Sequence, residues 1–82
     1  MDLQTIRQTI DRIDTSLLRL LKKRMENARL SKQFKKAVKD ENREKEIYAK
    51  LEQHSGALLS KEFLYDLYTL ILKESKRIQE ND

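Results

Sequence analysis

From Leu3 onward, apolar side chains recur at steps of three and four through Ile6, Ile10, Ile13, Leu17 and Leu20, and the same steps continue through Arg24, Asn27 and Ser31 to Phe34 and Val38. That period marks one face of an α-helix. Asp2 is a good N-cap residue, and neither proline nor glycine interrupts the run, so the spacing predicts one helix from about residue 3 to about residue 35 or 36. Such a helix is roughly 50 Å long, whereas a compact globule of this chain length is only about 30 Å across. One chain therefore cannot cover the seam. A coiled coil or packing against a second copy must do so, and the second copy is the preferred reading.

The rest of the chain predicts two shorter helices. The seam's spacing is lost after Val38, and Asp40 or Asn42 can cap a helix over about 41–54 that turns Ile47, Leu51 and Tyr48 inward. In "HSGALLS", Gly56 suits a left-handed C-cap, the single His54 sits at the helix end, and Ser60 can cap a further helix. This third helix, over about 61–80, is expected to bury Phe63, Leu64, Leu67, Tyr68 and Ile71, and the same face continues to Ser75 and Gln79. The expected architecture is all-α: a three-helix chain with one long N-terminal helix, forming a single domain over 1–82. There is no internal repeat.

Composition narrows the function. The 82 residues hold no cysteine, which excludes disulfides and thiolate metal sites. No apolar run reaches the roughly 20 residues of a membrane span, and the start lacks a signal-sequence pattern, so a cytoplasmic protein without a membrane partner is expected. The net charge of +4 comes from 18 basic and 14 acidic residues. They are interspersed, which reads as a solvated helix surface rather than a nucleic-acid face.

Charged residues nevertheless enter the apolar stripe. Leu3, Arg7, Ile10, Asp14, Leu17, Leu21, Arg24, Ala28, Ser31 and Lys35 succeed one another at helical steps. Arg24 and Lys35 stand three turns apart, about 16 Å, so two long side chains leaning inward can reach one small anion between them. Arg7 lies roughly 25 Å from Arg24 along the helix and reaches the same place only from a partner chain. Arg43 and Glu44, one turn before Ile47, and Ser75 and Gln79, beyond Ile71, can converge on that region in a bundle. An unpaired buried arginine is costly. The residues leave two readings open: an anionic ligand site, or ion pairs such as Arg24 with Glu44 and Arg7 with Asp14, with a polar seam residue setting the oligomeric state.

The segments "LQTIRQTIDRIDTSLLRLLKKR", "VKDENREKEIYAKL" and "LYTLILKESKRIQ" together resemble the all-helical, AroQ-type chorismate mutases over nearly the whole chain. The shared pattern is an arginine near the start, an Asp one half-stripe later, an arginine after the leucine run, a lysine three turns on, then D-x-x-R-E and S-x-x-x-Q. The resemblance implies an intertwined homodimer with shared active sites, in which each first helix spans both. It also implies that Arg24 and the partner chain's Arg7 bind the two carboxylates of chorismate, while Lys35 holds a carboxylate and the ether oxygen and Gln79 donates to that same oxygen. Ser75 is implied near the ring carboxylate and Glu44 as acceptor for the substrate hydroxyl, with Asp40 and Arg43 shaping that end.

The implied reaction, chorismate to prephenate in aromatic amino-acid biosynthesis, is an intramolecular [3,3] rearrangement that needs no nucleophile, metal or cofactor. A free-standing mutase is expected, because the chain stops just past Gln79. Two alternatives are an isochorismate-pyruvate lyase of the same fold, from which Glu44 beside Arg43 leans away, and a non-catalytic basic helical protein that binds nucleic acid or another partner. The segment between Lys35 and Asp40 is shorter than is usual in the family and lacks its frequent proline, which sets Lys36 and Lys39 close to Lys35. In a chorismate turnover assay, Lys35→Ala is expected to cost far more activity than Lys36→Ala or Lys39→Ala; equal losses would refute the assignment of Lys35.

Overall fold

The computed structural model describes residues 1–34 and 40–81, and within them every regular element is a helix. Helix α1 covers Leu3–Ser31, a 3-10 turn covers Lys32–Phe34, α2 covers Glu41–His54 and α3 covers Lys61–Glu80. Each α-helix starts on the same chemistry. The side chains of Asp2, Asp40 and Ser60 accept from the backbone N–H groups of Thr5, Arg43 and Phe63 at 2.8, 3.1 and 3.1 Å. Each cap satisfies a donor that the first turn leaves without an intrahelical partner. The hydrogen bond from Thr5 holds the Asp2 carboxyl below its usual range. That cap therefore contributes above the ordinary carboxylate pKa and fades as pH falls through the lowered one.

Two helix ends differ from the sequence expectation. The α-helical part of α1 stops at Ser31, short of residue 35 or 36, because the Lys32 N–H bonds to the carbonyls of Arg29 and Leu30, tightening the chain into the 3-10 turn. Lys35 and Lys36 themselves lie outside the described residues. Gly56 is not left-handed either. Helix α2 ends instead on an extended Ser55, whose N–H and hydroxyl both reach the Glu52 carbonyl, at 3.4 and 2.9 Å. Local bonding by Ser55 thus replaces the glycine cap.

Helix α3 is the central element, packing on both α1 and α2. It runs alongside α1 in the same direction, since Arg24 meets Ser75 and Ala28 meets Gln79. It runs against α2, as Glu52 pairs with Lys61 and Glu44 with Lys76. Between these ends the Tyr48 and Tyr65 rings stack at 4.7 Å. The Thr69 hydroxyl donates to the Tyr65 carbonyl at 2.8 Å, so the Tyr48 hydroxyl is the donor in its 2.9 Å bond to Thr69.

Among the described residues the buried ones are Leu64, Ile71, Leu72, Ser75 and Gln79, all on α3. Leu67 and Tyr68 are half-buried, as are Ile47, Tyr48 and Leu51 of α2. Phe63, expected inside, is 53% exposed. Leu64, about 100° further round the helix, is buried as expected. Residues 1–20 are all exposed, and the seam from Ile6 to Leu20 keeps between 42% and 59% of its surface in solvent. The molecule measures 52 × 26 × 15 Å, longer than a globule of this size, because the amino-terminal half of α1 projects beyond the other helices. No helix among the described residues is long and apolar enough to cross a membrane.

Ser60→Ala removes the cap of the central helix. It is expected to lower stability by about 1 kcal/mol in denaturant unfolding at fixed protein concentration, whereas an unchanged midpoint would show that the cap contributes nothing.

Candidate active site

The stripe that carries Arg24 through the apolar face of α1 meets α3 at its two buried polar residues. One Arg24 Nη1–H donates to the Ser75 hydroxyl at 2.9 Å, and the guanidinium carbon stands 5.8 Å from the centre of the Tyr68 ring. A hydrogen bond and a cation–π contact therefore hold this half-buried cation without a protein carboxylate. Ser75 passes its own proton to the Ile71 carbonyl at 2.9 Å, so its oxygen is left to accept from Arg24. One turn on, Gln79 is 3% exposed. Its amide nitrogen donates to the Ala28 carbonyl at 2.9 Å and lies 3.4 Å from the Ser31 hydroxyl.

These groups face a cavity of about 400 Å³ where all three helices meet. Arg24, Asn27, Ala28 and Ser31 come from α1; Asp40, Arg43, Glu44 and Ile47 come from α2 and its cap; Leu72, Ser75, Lys76 and Gln79 come from α3. The volume suits a small organic ligand. The polar lining is mixed: three cations, two carboxylates and several neutral groups. A second, larger groove of about 1560 Å³ lacks Arg24, Ser75 and Gln79 and takes in the exposed Leu18, Tyr65 and Leu70. It shares Glu44 and Lys76 with the first cavity, and its exposed apolar part has the character of an uncovered packing surface.

The family model for chorismate mutase type II matches residues 6–80, which is nearly the whole chain. The chain belongs to the chorismate mutase type II family. This is the AroQ family of all-helical isomerases. Neither a curated protein nor a solved structure gave a match.

Of the residues assigned by resemblance to this family, Arg24, Asp40, Arg43, Glu44, Ser75 and Gln79 line the one cavity. Arg7 does not. It is exposed on α1, 17 positions before Arg24 on the same helix, or roughly 25 Å. Lys35 lies outside the described residues. Asp40 and Arg43 are at the exposed rim, where the Asp40 carboxylate caps α2 and the Arg43 guanidinium pairs with Glu46 at 3.1 Å.

The ion pair suggested between Arg24 and Glu44 does not form. Glu44 Oε1 is instead 2.6 Å from Lys76 Nζ. Lys76 is the charged wall residue that the sequence reading missed, although its position gives it away: it lies four residues after Leu72, itself unnamed there, and three before Gln79, which puts it on the same side of α3. Asn27, also on the wall, uses its amide nitrogen to bond the Lys23 carbonyl at 2.8 Å.

Gln79 ties α3 to α1 besides lining the cavity. Gln79→Leu leaves the Ala28 carbonyl with the Ser31 hydroxyl as its remaining side-chain donor. A loss of about 1–3 kcal/mol is expected in urea unfolding, and an unchanged transition would exclude this structural role.

Proposed function

We propose that two copies of this chain form an intertwined dimer with two shared sites, and that each site rearranges chorismate to prephenate. The observation that carries this reading is the convergence of Arg24, Glu44, Ser75 and Gln79 on one cavity of about 400 Å³, in a chain of the chorismate mutase family. The exposed seam on α1 supports the second copy. Burying it on a partner contributes about 25 cal/mol for each Å² of apolar surface removed from water.

Dimerisation also answers the problem of Arg7. Its distance from Arg24 keeps it out of its own chain's site, while a partner α1 lying along the seam can bring Arg7 to the opposite one. Arg24 gives one N–H to Ser75 and has further donors in the same planar fork for a substrate carboxylate. With Arg7 of the other copy on the second carboxylate, the enolpyruvyl arm is held over the ring. Such restraint converts a floppy substrate into a reactive conformer and supplies several kcal/mol of the barrier reduction.

As the carbon–oxygen bond breaks, negative charge gathers on the ether oxygen. We assign its stabilisation to Lys35 and to an N–H of Gln79. The Gln79 contact to Ser31, at 3.4 Å, is longer and weaker than its bond to the Ala28 carbonyl, so it is the one a ligand oxygen can replace at small cost. Glu44 accepts from the ring hydroxyl, and Asp40 with Arg43 closes the rim. Donors placed in advance lower the transition state more than the ground state, because they strengthen as charge develops.

Purified protein incubated separately with chorismate and with isochorismate gives the test. Prephenate from chorismate, lost by about a hundredfold or more in kcat/KM with Arg24→Ala, is the expected result. Salicylate and pyruvate from isochorismate would assign the lyase reaction instead. Salt-sensitive nucleic-acid binding without turnover of either compound would overturn both enzymatic readings. Sedimentation should show a dimer, since an active monomer would remove the role given to Arg7.

A further inference from the structure

Glu44 presents a difficulty for a site that takes a dianion. A carboxylate in the wall repels the two substrate carboxylates, and the repulsion is stronger in a partly desolvated cavity than in water. Four charged groups besides Glu44 line the same cavity: Arg24 from α1, Asp40 and Arg43 from α2 and its cap, and Lys76 from α3. Arg24 is turned to Ser75, Arg43 to Glu46, and Asp40 to the first turn of α2. Only Lys76 among them contacts Glu44, at 2.6 Å.

This pair differs from ordinary surface ion pairs. The side chains of Lys76 and Glu44 are 33% and 21% exposed, whereas Lys61–Glu52 and Arg43–Glu46 are at least 60% exposed on every side chain. Exposed pairs of that sort fix little. A pair drawn from two helices and half withdrawn from water holds its members in one geometry and leaves a stranded charge when either is removed.

Resting on the mutase reading, we propose that Lys76 is a positioning residue: it neutralises and orients Glu44 so that this carboxylate can accept the ring hydroxyl of a doubly anionic substrate without repelling it. Lys76 occupies Oε1, and a carboxylate has acceptor capacity on its second oxygen to spare. Lys76 acts through Glu44 and does not touch the reacting atoms. Its effect therefore falls on substrate binding, where the repulsion would be felt, and the bond-breaking step is changed much less.

Steady-state kinetics with chorismate on the dimeric protein, for the wild type, Lys76→Met, Lys76→Arg, Glu44→Gln and the Glu44→Gln/Lys76→Met double variant, test this. Lys76→Gln replaces the methionine variant if circular dichroism shows the latter unfolded. Removal of the charge is expected to raise KM about tenfold with kcat within about threefold, and Lys76→Arg is expected to restore KM to within about threefold of the wild type. In the Glu44→Gln background, with no carboxylate to offset, the same removal should change KM by less than about twofold.

An unchanged KM in Lys76→Met overturns the proposal. So does an equal rise in KM with and without Glu44, since Lys76 would then act on the substrate directly. A wild type that makes no prephenate overturns the mutase reading itself and the role of Lys76 with it, an outcome distinct from prephenate formation that is indifferent to Lys76.

Discussion

Everything in this fold depends on α3 being held against α1 by polar groups. The contact that places the two helices is a pair of buried side chains, Ser75 and Gln79, bonded respectively to the Arg24 side chain and the Ala28 carbonyl of α1. Apolar packing alone is tolerant of sliding. Hydrogen bonds from buried groups are not, because a shift of register leaves donors without acceptors where little water can replace them. The cost of that arrangement is a small apolar core, which among the described residues is Leu64, Ile71 and Leu72. Its result is a cavity whose walls are set to within a hydrogen-bond length.

The same bonds explain how an arginine can stand in an apolar stripe. Arg24 is steadied by a hydroxyl and an aromatic face, both electrically neutral, so its charge is not cancelled by the protein. Glu44, the nearest candidate to cancel it, is bound to Lys76 on the other wall. Opposite charges within the cavity are thus separated into a pair that is closed on itself and a cation that stays available to an anion. A site for a dicarboxylate needs that separation, since an arginine already paired with carboxylate must break one bond to make another.

The stretch of α1 before Leu21 contributes nothing to the interior of one chain, yet it carries the most regular apolar spacing in the sequence. That spacing is evidence of burial that the single chain does not provide, and the proposed dimer supplies it. Marginal cores are general at this chain length, where the ratio of surface to volume is unfavourable. In the proposed dimer the second copy would also bring Arg7 to the site, so stability and the proposed chemistry place the same demand on the long helix.

The sequence by itself determined what depends on neighbours along the chain: the caps at Asp2 and Ser60, a cap at Asp40 or Asn42 that the structure resolves to Asp40, the helical period of α1 and α3, and the presence of polar residues on apolar faces. Those features come from backbone geometry and fixed offsets of three and four residues. Gly56 misled because a neighbouring serine completed the helix end with its own hydroxyl, and Phe63 misled because an apolar residue in the first turn of a helix can fit the spacing and still face solvent while Leu64 beside it is buried as expected. What tertiary structure alone decided was pairing: that Arg24 meets Ser75 rather than Glu44, that Glu44 meets Lys76, and that Gln79 reaches the Ala28 carbonyl. These partners are 32 to 51 residues apart, and nothing local distinguishes one cation from another until the helices are set side by side.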